Sequence, residues 1–188
     1  MSKTILTAIF LSLFLSFSSP VLAEDFSPAS NFYFLRTLWE NIQYQFLFSL
    51  DQIFTYHYNL AQKKIKDSED LIKKEKYDLV PVIFEEYKGQ YKLMMESSKD
   101  KTNLQAKIID LSSTHINQLI NLYGQTAEMS SKRAIRSALF YLQKLNPDTD
   151  NLKLTCDFLE GDKKNTIWNE VERAILEEKY EKTCSNRR

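Results

Sequence analysis

The chain has 188 residues, of which 25 are basic and 25 are acidic, so its formal net charge is zero. A neutral chain with both signs mixed produces no long-range field that would attract it to nucleic acid or to anionic lipid. The composition therefore argues against a nucleic-acid partner, and the length fits one domain or one domain with an appendage.

Residues 1–23 have the three-part order of a secretory signal peptide. A positive charge precedes a nearly unbroken apolar stretch from Ile5 to Phe17, Pro20 follows, and small residues then predict cleavage between Ala23 and Glu24. The stretch is shorter than the roughly 20 residues of a spanning helix, and an uncleaved anchor is the alternative. We therefore expect an exported protein, periplasmic or otherwise extracytoplasmic, whose mature chain does not insert into the membrane.

Seven helices are predicted beyond a short polar linker at residues 24–30. The first covers about 31–48, with apolar residues at three- and four-residue spacing, which is typical of one buried stripe. Ser49 and Gln52 form a capping-box pattern that begins the second helix. The predicted stripe of the first helix consists of Leu35, Leu38, Trp39, Ile42 and Phe46.

The later helices are predicted from caps and helix breakers. Asp78 is the expected N-cap of the third helix, and Thr102 with Gln105 forms a second capping box before the fourth. The fifth covers about 126–145 and ends before Pro147. A short helix over about 151–160 ends at Gly161, and an amphipathic helix covers about 166–182. Its predicted inward residues are Ile167, Trp168, Val171, Ala174 and Ile175.

No segment shows the alternation of a β-strand over a useful length, so the predicted fold class is all-α. Residues 31–145 predict a helical bundle of about five helices. Residues 146–188 predict a two-helix C-terminal extension that contains both cysteines.

Cys156 and Cys184 are the only cysteines, and export permits a disulfide between them. A simple antiparallel hairpin turning at Gly161 would separate them by about 20 Å, whereas a bridge needs alpha carbons within about 7 Å. The bond therefore requires the last helix to end by residues 178–182, or the short helix to be displaced. We predict the disulfide, and the alternatives are two unbonded thiols or an intermolecular bridge.

Short motifs follow one another in a recognisable order between Ser27 and about Leu139. They include an aromatic-rich turn, Leu35–Glu40, His57–Ala61 and Lys76–Leu79. This order resembles the bacterial family known as domain of unknown function 5667, although the glycine of the family's opening turn is missing. The resemblance implies an exported or membrane-tethered helical bundle, and it implies no catalytic residue.

His57 and His115 are the only histidines, and each has apolar residues four positions away on both sides. This spacing predicts hydrogen-bonded histidines at the edge of a buried stripe. A metal site would need further ligands, such as Asp51 or Asp110, from separate helices. The sequence also contains no glycine-rich phosphate loop and no Gly-x-Ser-x-Gly elbow. We therefore expect no enzyme activity, no cofactor and no metal.

Residues 32–58 contain more aromatic side chains than one helical face can bury. The surplus predicts either a thick bundle core or an exposed patch for a protein partner or for self-association. We therefore expect a non-catalytic interaction or structural module of the cell envelope. The alternative is a periplasmic chaperone-like holdase that uses the patch. The candidate patch residues are Phe32, Tyr33, Tyr44, Phe48, Tyr56 and Tyr58.

Overall fold

Seven α-helices form the part of the chain that the structure describes, and no strand occurs there. This computed structural model describes residues 27–30 and 33–185, so the predicted signal peptide, its cleavage site at Ala23 and Glu24, and Phe32 lie outside the described residues. The fold class is all-α, as predicted. In chain order the helices are α1 (Tyr33–Tyr44), α2 (Leu50–Lys73), α3 (Val80–Ser97), α4 (Thr102–Gly124), α5 (Met129–Leu145), α6 (Thr149–Lys163) and α7 (Glu170–Cys184).

The described residues divide into two units, 27–46 and 47–185. The first unit contains α1, and the face that α1 buries is not the predicted apolar stripe. Arg36 and Glu40 are buried, whereas Leu38 is 54% and Phe46 is 60% exposed. The Arg36 Nε donates to Glu40 Oε1 at 2.9 Å, so two charges on one helix face satisfy each other. The prediction of a buried stripe through Leu38 and Phe46 is therefore wrong.

α2 begins at the predicted capping box. The backbone N–H of Gln52 donates to Ser49 Oγ at 3.2 Å, and the backbone N–H of Ser49 donates to Gln52 Oε1 at 3.2 Å. These two bonds satisfy backbone donors that the first helical turn leaves without intrahelical acceptors. α2 is 24 residues long. Neither it nor any other described helix is long and apolar enough to cross a lipid bilayer.

The helices α2–α5 enclose the main apolar core of the second unit. α2 packs chiefly on α3, α4 packs on α5, and α3 also packs on α5. α2 and α4 contact each other much less, although they face each other across part of this core. Fully buried apolar side chains of the four helices include Phe54, Leu71, Ile83, Phe84, Met94, Ile116, Leu119, Ile135 and Leu139.

Two predicted caps are wrong. Leu79, rather than Asp78, occupies the N-cap position of α3, and no side chain caps that helix. Thr102 is the first helical residue of α4 and follows a Lys101 N-cap. The Gln105 amide does not complete a box with Thr102, because it donates to backbone carbonyls of the preceding turn at 3.0 and 3.3 Å.

α6 and α7 form a C-terminal hairpin that differs from its prediction in length and in its buried face. α6 continues through Gly161 and ends at Lys163, so the hairpin turns later than expected. Trp168 is buried, as predicted, but Val171 is 68% and Ile175 is 41% exposed, so the prediction that these two residues face inward is wrong. The inward face contains Leu176 instead.

Candidate functional site

A groove of about 440 Å³ lies between α2 and α4, the two core helices with few mutual contacts. Each wall uses residues at three- and four-residue spacing, so each wall is one face of its helix. Ile65, Leu111 and Leu122 are buried and form the apolar floor. The rim is polar and contains Gln62, Lys66, Glu69, Thr114, Gln118, Asn121 and Gln125.

His115 also lines the groove, and it belongs to a buried cluster with two tyrosines of α3. Its Nδ1 lies 2.9 Å from the Tyr87 hydroxyl and 3.0 Å from the Tyr91 hydroxyl. Burial lowers the pKa of His115 to about 4, and burial raises the pKa of both tyrosines. At neutral pH the imidazole is therefore uncharged and both phenols keep their protons.

The tautomer of His115 follows from these contacts. If Nδ1 accepts, both phenol hydrogens have an acceptor, because one phenol can also donate to the other. If Nδ1 carried the hydrogen instead, one phenol hydrogen would have no acceptor in this described cluster. We therefore assign the ring hydrogen to Nε2.

His57 occupies a separate place on α2. It is buried, and its Nδ1 lies 2.8 Å from Gln90 Oε1 of α3. Burial lowers its pKa, although the hydrogen bond to Gln90 acts in the opposite direction. Both histidines are thus buried and hydrogen-bonded, as the sequence predicts. Within residues 27–30 and 33–185, no three His, Cys, Asp or Glu side chains are grouped as metal ligands.

The predicted aromatic patch is divided between the two units. Tyr33 and Tyr44 belong to the first unit, where Tyr33 is half-buried and Tyr44 is exposed. In the second unit Phe48 is 87% exposed, whereas Tyr56 and Tyr58 are half-buried.

The exposed Phe48 has apolar neighbours in sequence that the patch prediction omitted. Leu50 is 53% exposed, and Leu47 and Tyr56 line a shallow depression of about 400 Å³ at the start of α2. We call Leu47, Phe48, Leu50 and Tyr56 the α2-start patch.

Cys156 and Cys184 form a disulfide that joins α6 to the end of α7. Their alpha carbons are 5.8 Å apart, and 28 positions separate them in the sequence. Of the two conditions that the sequence left open for this bond, an early end of the last helix does not occur, because α7 continues to Cys184. The later turn after α6 brings the two cysteines together instead.

Asp162 of α6 is the centre of a buried polar network. Its Oδ1 accepts the Tyr123 hydroxyl of α4 and the Trp168 Nε1–H at 2.7 Å, and its Oδ2 accepts from Arg136 of α5 at 3.0 Å. The Arg136 guanidinium also donates to Glu172 of α7 at 2.9 Å and lies 4.7 Å from the Trp168 ring centroid. The network therefore connects α4 and α5 to the C-terminal hairpin.

The position of Glu172 explains which face of α7 points inward. Glu172 and Leu176 are four residues apart and lie on one face of the helix, and Cys184 lies within about 120° of Glu172 around the helix axis. Partial burial raises the pKa of Glu172, but hydrogen bonds from Arg136 and Arg133 outweigh it and lower the pKa. The ion pairs and the disulfide together direct this face towards the rest of the unit.

Comparison with known families gives one match to a family model. The family model described as Domain of unknown function (DUF5667) matches residues 25–138, which is more than half of the chain. This chain belongs to the DUF5667 family. No curated protein and no solved structure matches it significantly.

Some of these sites lie inside the residues that the DUF5667 model matches, and others lie beyond them. The groove and the His115 cluster lie wholly inside the matched residues, and so does the α2-start patch. The disulfide lies beyond them, as do Asp162, Trp168 and Glu172. The sequence alone predicted the disulfide, but it gave no signal for the Asp162 network, whose members are spread over four helices and a loop.

Proposed function

We propose that this DUF5667 protein is an exported, non-catalytic interaction protein of the cell envelope. In this proposal the mature chain begins at Glu24, residues 31–145 form a helical bundle of about five helices, and residues 146–188 form its two-helix extension. The disulfide between Cys156 and Cys184 supports export, because such bonds persist in oxidising compartments. It also engages the only two thiols of the chain, which supports a non-catalytic role.

The observation that carries the binding role is the exposure of Phe48. Phe48 is 87% exposed, and Leu50, two positions later, is 53% exposed. Exposed apolar side chains that lie close together lower the solubility of a protein unless another molecule covers them. Tyr56 and Leu47 add a shallow depression that an apolar side chain of a partner can enter. Aromatic side chains of this kind dominate the energetics of protein interfaces.

Photo-crosslinking in the native envelope tests this proposal directly. A photoreactive phenylalanine analogue replaces Phe48 in one variant and Val171 of α7 in a control variant, since Val171 is also highly exposed. We expect one discrete adduct from position 48, with a protein partner or with a second copy of the chain, and none from position 171. The absence of any adduct at position 48 would overturn the binding role.

The same experiment separates the holdase alternative. A chaperone-like protein that uses the α2-start patch would give a broad ladder of adducts with many unfolded clients. It would also suppress aggregation of a denatured test protein at a stoichiometric ratio. Both results together would replace the proposed single-partner role.

A further inference from the structure

The α2–α4 groove has the dimensions of a small-molecule site. Its volume of about 440 Å³ lies within the range of roughly 300–1,000 Å³ that such sites occupy. Its α2 wall runs from Gln62 to Glu69, a length of about 10 Å at 1.5 Å per residue. An extended chain of about three amino acids covers the same length.

The floor of the groove is apolar and fixed. Ile65, Leu111 and Leu122 are each at most 6% exposed. His115 adds a ring that Tyr87 and Tyr91 hold in place through its Nδ1. The floor therefore offers apolar contact area and an imidazole ring held by two hydrogen bonds, and neither needs to reorganise when a ligand arrives.

The rim supplies both donors and acceptors. Four primary amides, those of Gln62, Gln118, Asn121 and Gln125, surround the opening, and none has a side-chain partner within the described part of the chain. A primary amide presents an N–H donor and a carbonyl acceptor, which is the same pair that a peptide bond presents. Side-chain amides at this density therefore suit a ligand that contains peptide bonds.

The unpaired charge of the rim is positive. Glu69 is paired with Lys73 of the same helix at 2.6 Å, so its carboxylate already has a cationic partner. Lys66 has no hydrogen bond or ion pair with any described residue, and it is one of the residues that line the groove. A carboxylate on the ligand would give this lysine a charge-assisted partner.

We propose that the α2–α4 groove binds a short peptide through its C-terminal carboxylate. Lys66 takes the carboxylate, the four rim amides pair with the peptide backbone, and the apolar floor accepts a side chain. The groove and the α2-start patch share no residue, so this site does not depend on the interaction proposed above.

Calorimetric titration of the mature, disulfide-bonded protein with acetyl-Ala-Leu-Ala tests the site. We expect saturable one-to-one binding of the peptide with its carboxylate, and binding weaker by about tenfold or more for the same peptide ending in an amide. Lys66→Gln should weaken binding of the carboxylate peptide to a similar extent. Lys92→Gln is the matched control, because Lys92 is an exposed lysine of α3 outside the groove.

Each result decides the proposal. Absence of saturable binding would overturn it, and so would equal binding of the two peptides or an unaltered affinity in Lys66→Gln. Amide NMR shifts centred on Gln118 and Asn121 would support it, and shifts confined to other helices would contradict it. The carboxylate can belong to the C-terminus of a whole protein or to a short released peptide. A longer peptide with the same last three residues distinguishes these two sources: equal binding identifies a protein C-terminus, and weaker binding identifies a released peptide.

Discussion

The core helices α2–α5 and the C-terminal hairpin α6–α7 are stabilised by different interactions. The core helices bury large apolar side chains against one another, and the buried His115 among them is uncharged at neutral pH. In the hairpin, α7 buries only Leu176 and Cys184. A disulfide and a set of mutually satisfied charges hold it in place.

The difference shows how a short helical pair can be attached without a large apolar face. Its contacts require an oxidised disulfide and intact ion pairs. The core helices contain no cysteine and rely mainly on apolar packing, although Lys64 of α2 is buried in an ion pair with Glu86 of α3. The stability of the hairpin is therefore tied to the compartment in which the protein works. Mutations that remove one interaction from each region make this contrast measurable.

The largest effect is expected from Arg136→Ala. This change leaves the Asp162 carboxylate, whose side chain is fully buried, without its cationic partner. Loss of one member of a buried ion pair costs about 3–5 kcal/mol in the free energy of unfolding. Arg133→Ala is the matched control, since Arg133 contacts the same Glu172 from a half-exposed position and should cost less than about 1 kcal/mol. Equal losses in urea unfolding would show that the network does not centre on Asp162.

Removal of the disulfide by Cys156→Ala with Cys184→Ala is expected to cost about 3–4 kcal/mol, the chain-entropy value for a loop of this length. The loss should be local. Hydrogen exchange should accelerate in α6 and α7 and stay slow in α2–α5. Acceleration that is uniform over all six helices would contradict the division into two regions.

Acid should act mainly on the core helices through His115. The folded pKa of about 4 lies below the ordinary 6.5, so the unfolded chain binds a proton first as pH falls. The stability that the neutral histidine contributes is present above pH 6.5 and decreases towards pH 4, by about 3 kcal/mol in all.

His115→Leu tests this titration. The variant should lose part of the dependence of unfolding free energy on pH between 6.5 and 4.5, while its curve above pH 6.5 stays parallel to that of the parent protein. An unchanged slope in that window would show that His115 is not the titrating group.

The smallest effects concern two glycines in helix interiors. A Cβ added at Gly89 of α3 or at Gly161 of α6 would meet no atom within 4 Å. Gly89→Ala should therefore raise the free energy of unfolding by about 1 kcal/mol, and Gly161→Ala by less because it lies in the last turn of its helix. Because both variants replace a helical glycine by alanine, thermal denaturation of the two compares the core helices with the hairpin through the same substitution. Destabilisation at Gly89 would indicate a helix contact that the structure lacks.

Much of the helical architecture could be predicted, because it depends on local patterns. The capping box at Ser49 is correct, and so is the burial of both histidines with apolar neighbours four residues away. The groove could not be predicted. It depends on the distance between α2 and α4, and that distance is set by how each packs on other helices rather than by its own sequence.

The C-terminal hairpin shows where local patterns fail. Val171 and Ile175 suggest an inward face by hydrophobicity, but Glu172 is fixed by Arg136 from α5 and Cys184 by Cys156 from α6. These partners are distant in sequence, so no window around α7 contains the information. In α1 the apolar pattern fails for a different reason, because Arg36 and Glu40, four residues apart on one helix, are buried as an ion pair.

We propose that this DUF5667 protein works outside the cytoplasm with its hairpin closed by a disulfide. Intact-mass spectrometry of the protein from its native envelope, with thiols blocked and without reduction, tests this most directly. We expect a chain that begins at Glu24 and carries no blocking group on Cys156 or Cys184. Its mass should be lower by two hydrogens than the mass calculated for the reduced chain. A chain that begins at Met1 and carries a blocking group on each cysteine would contradict it.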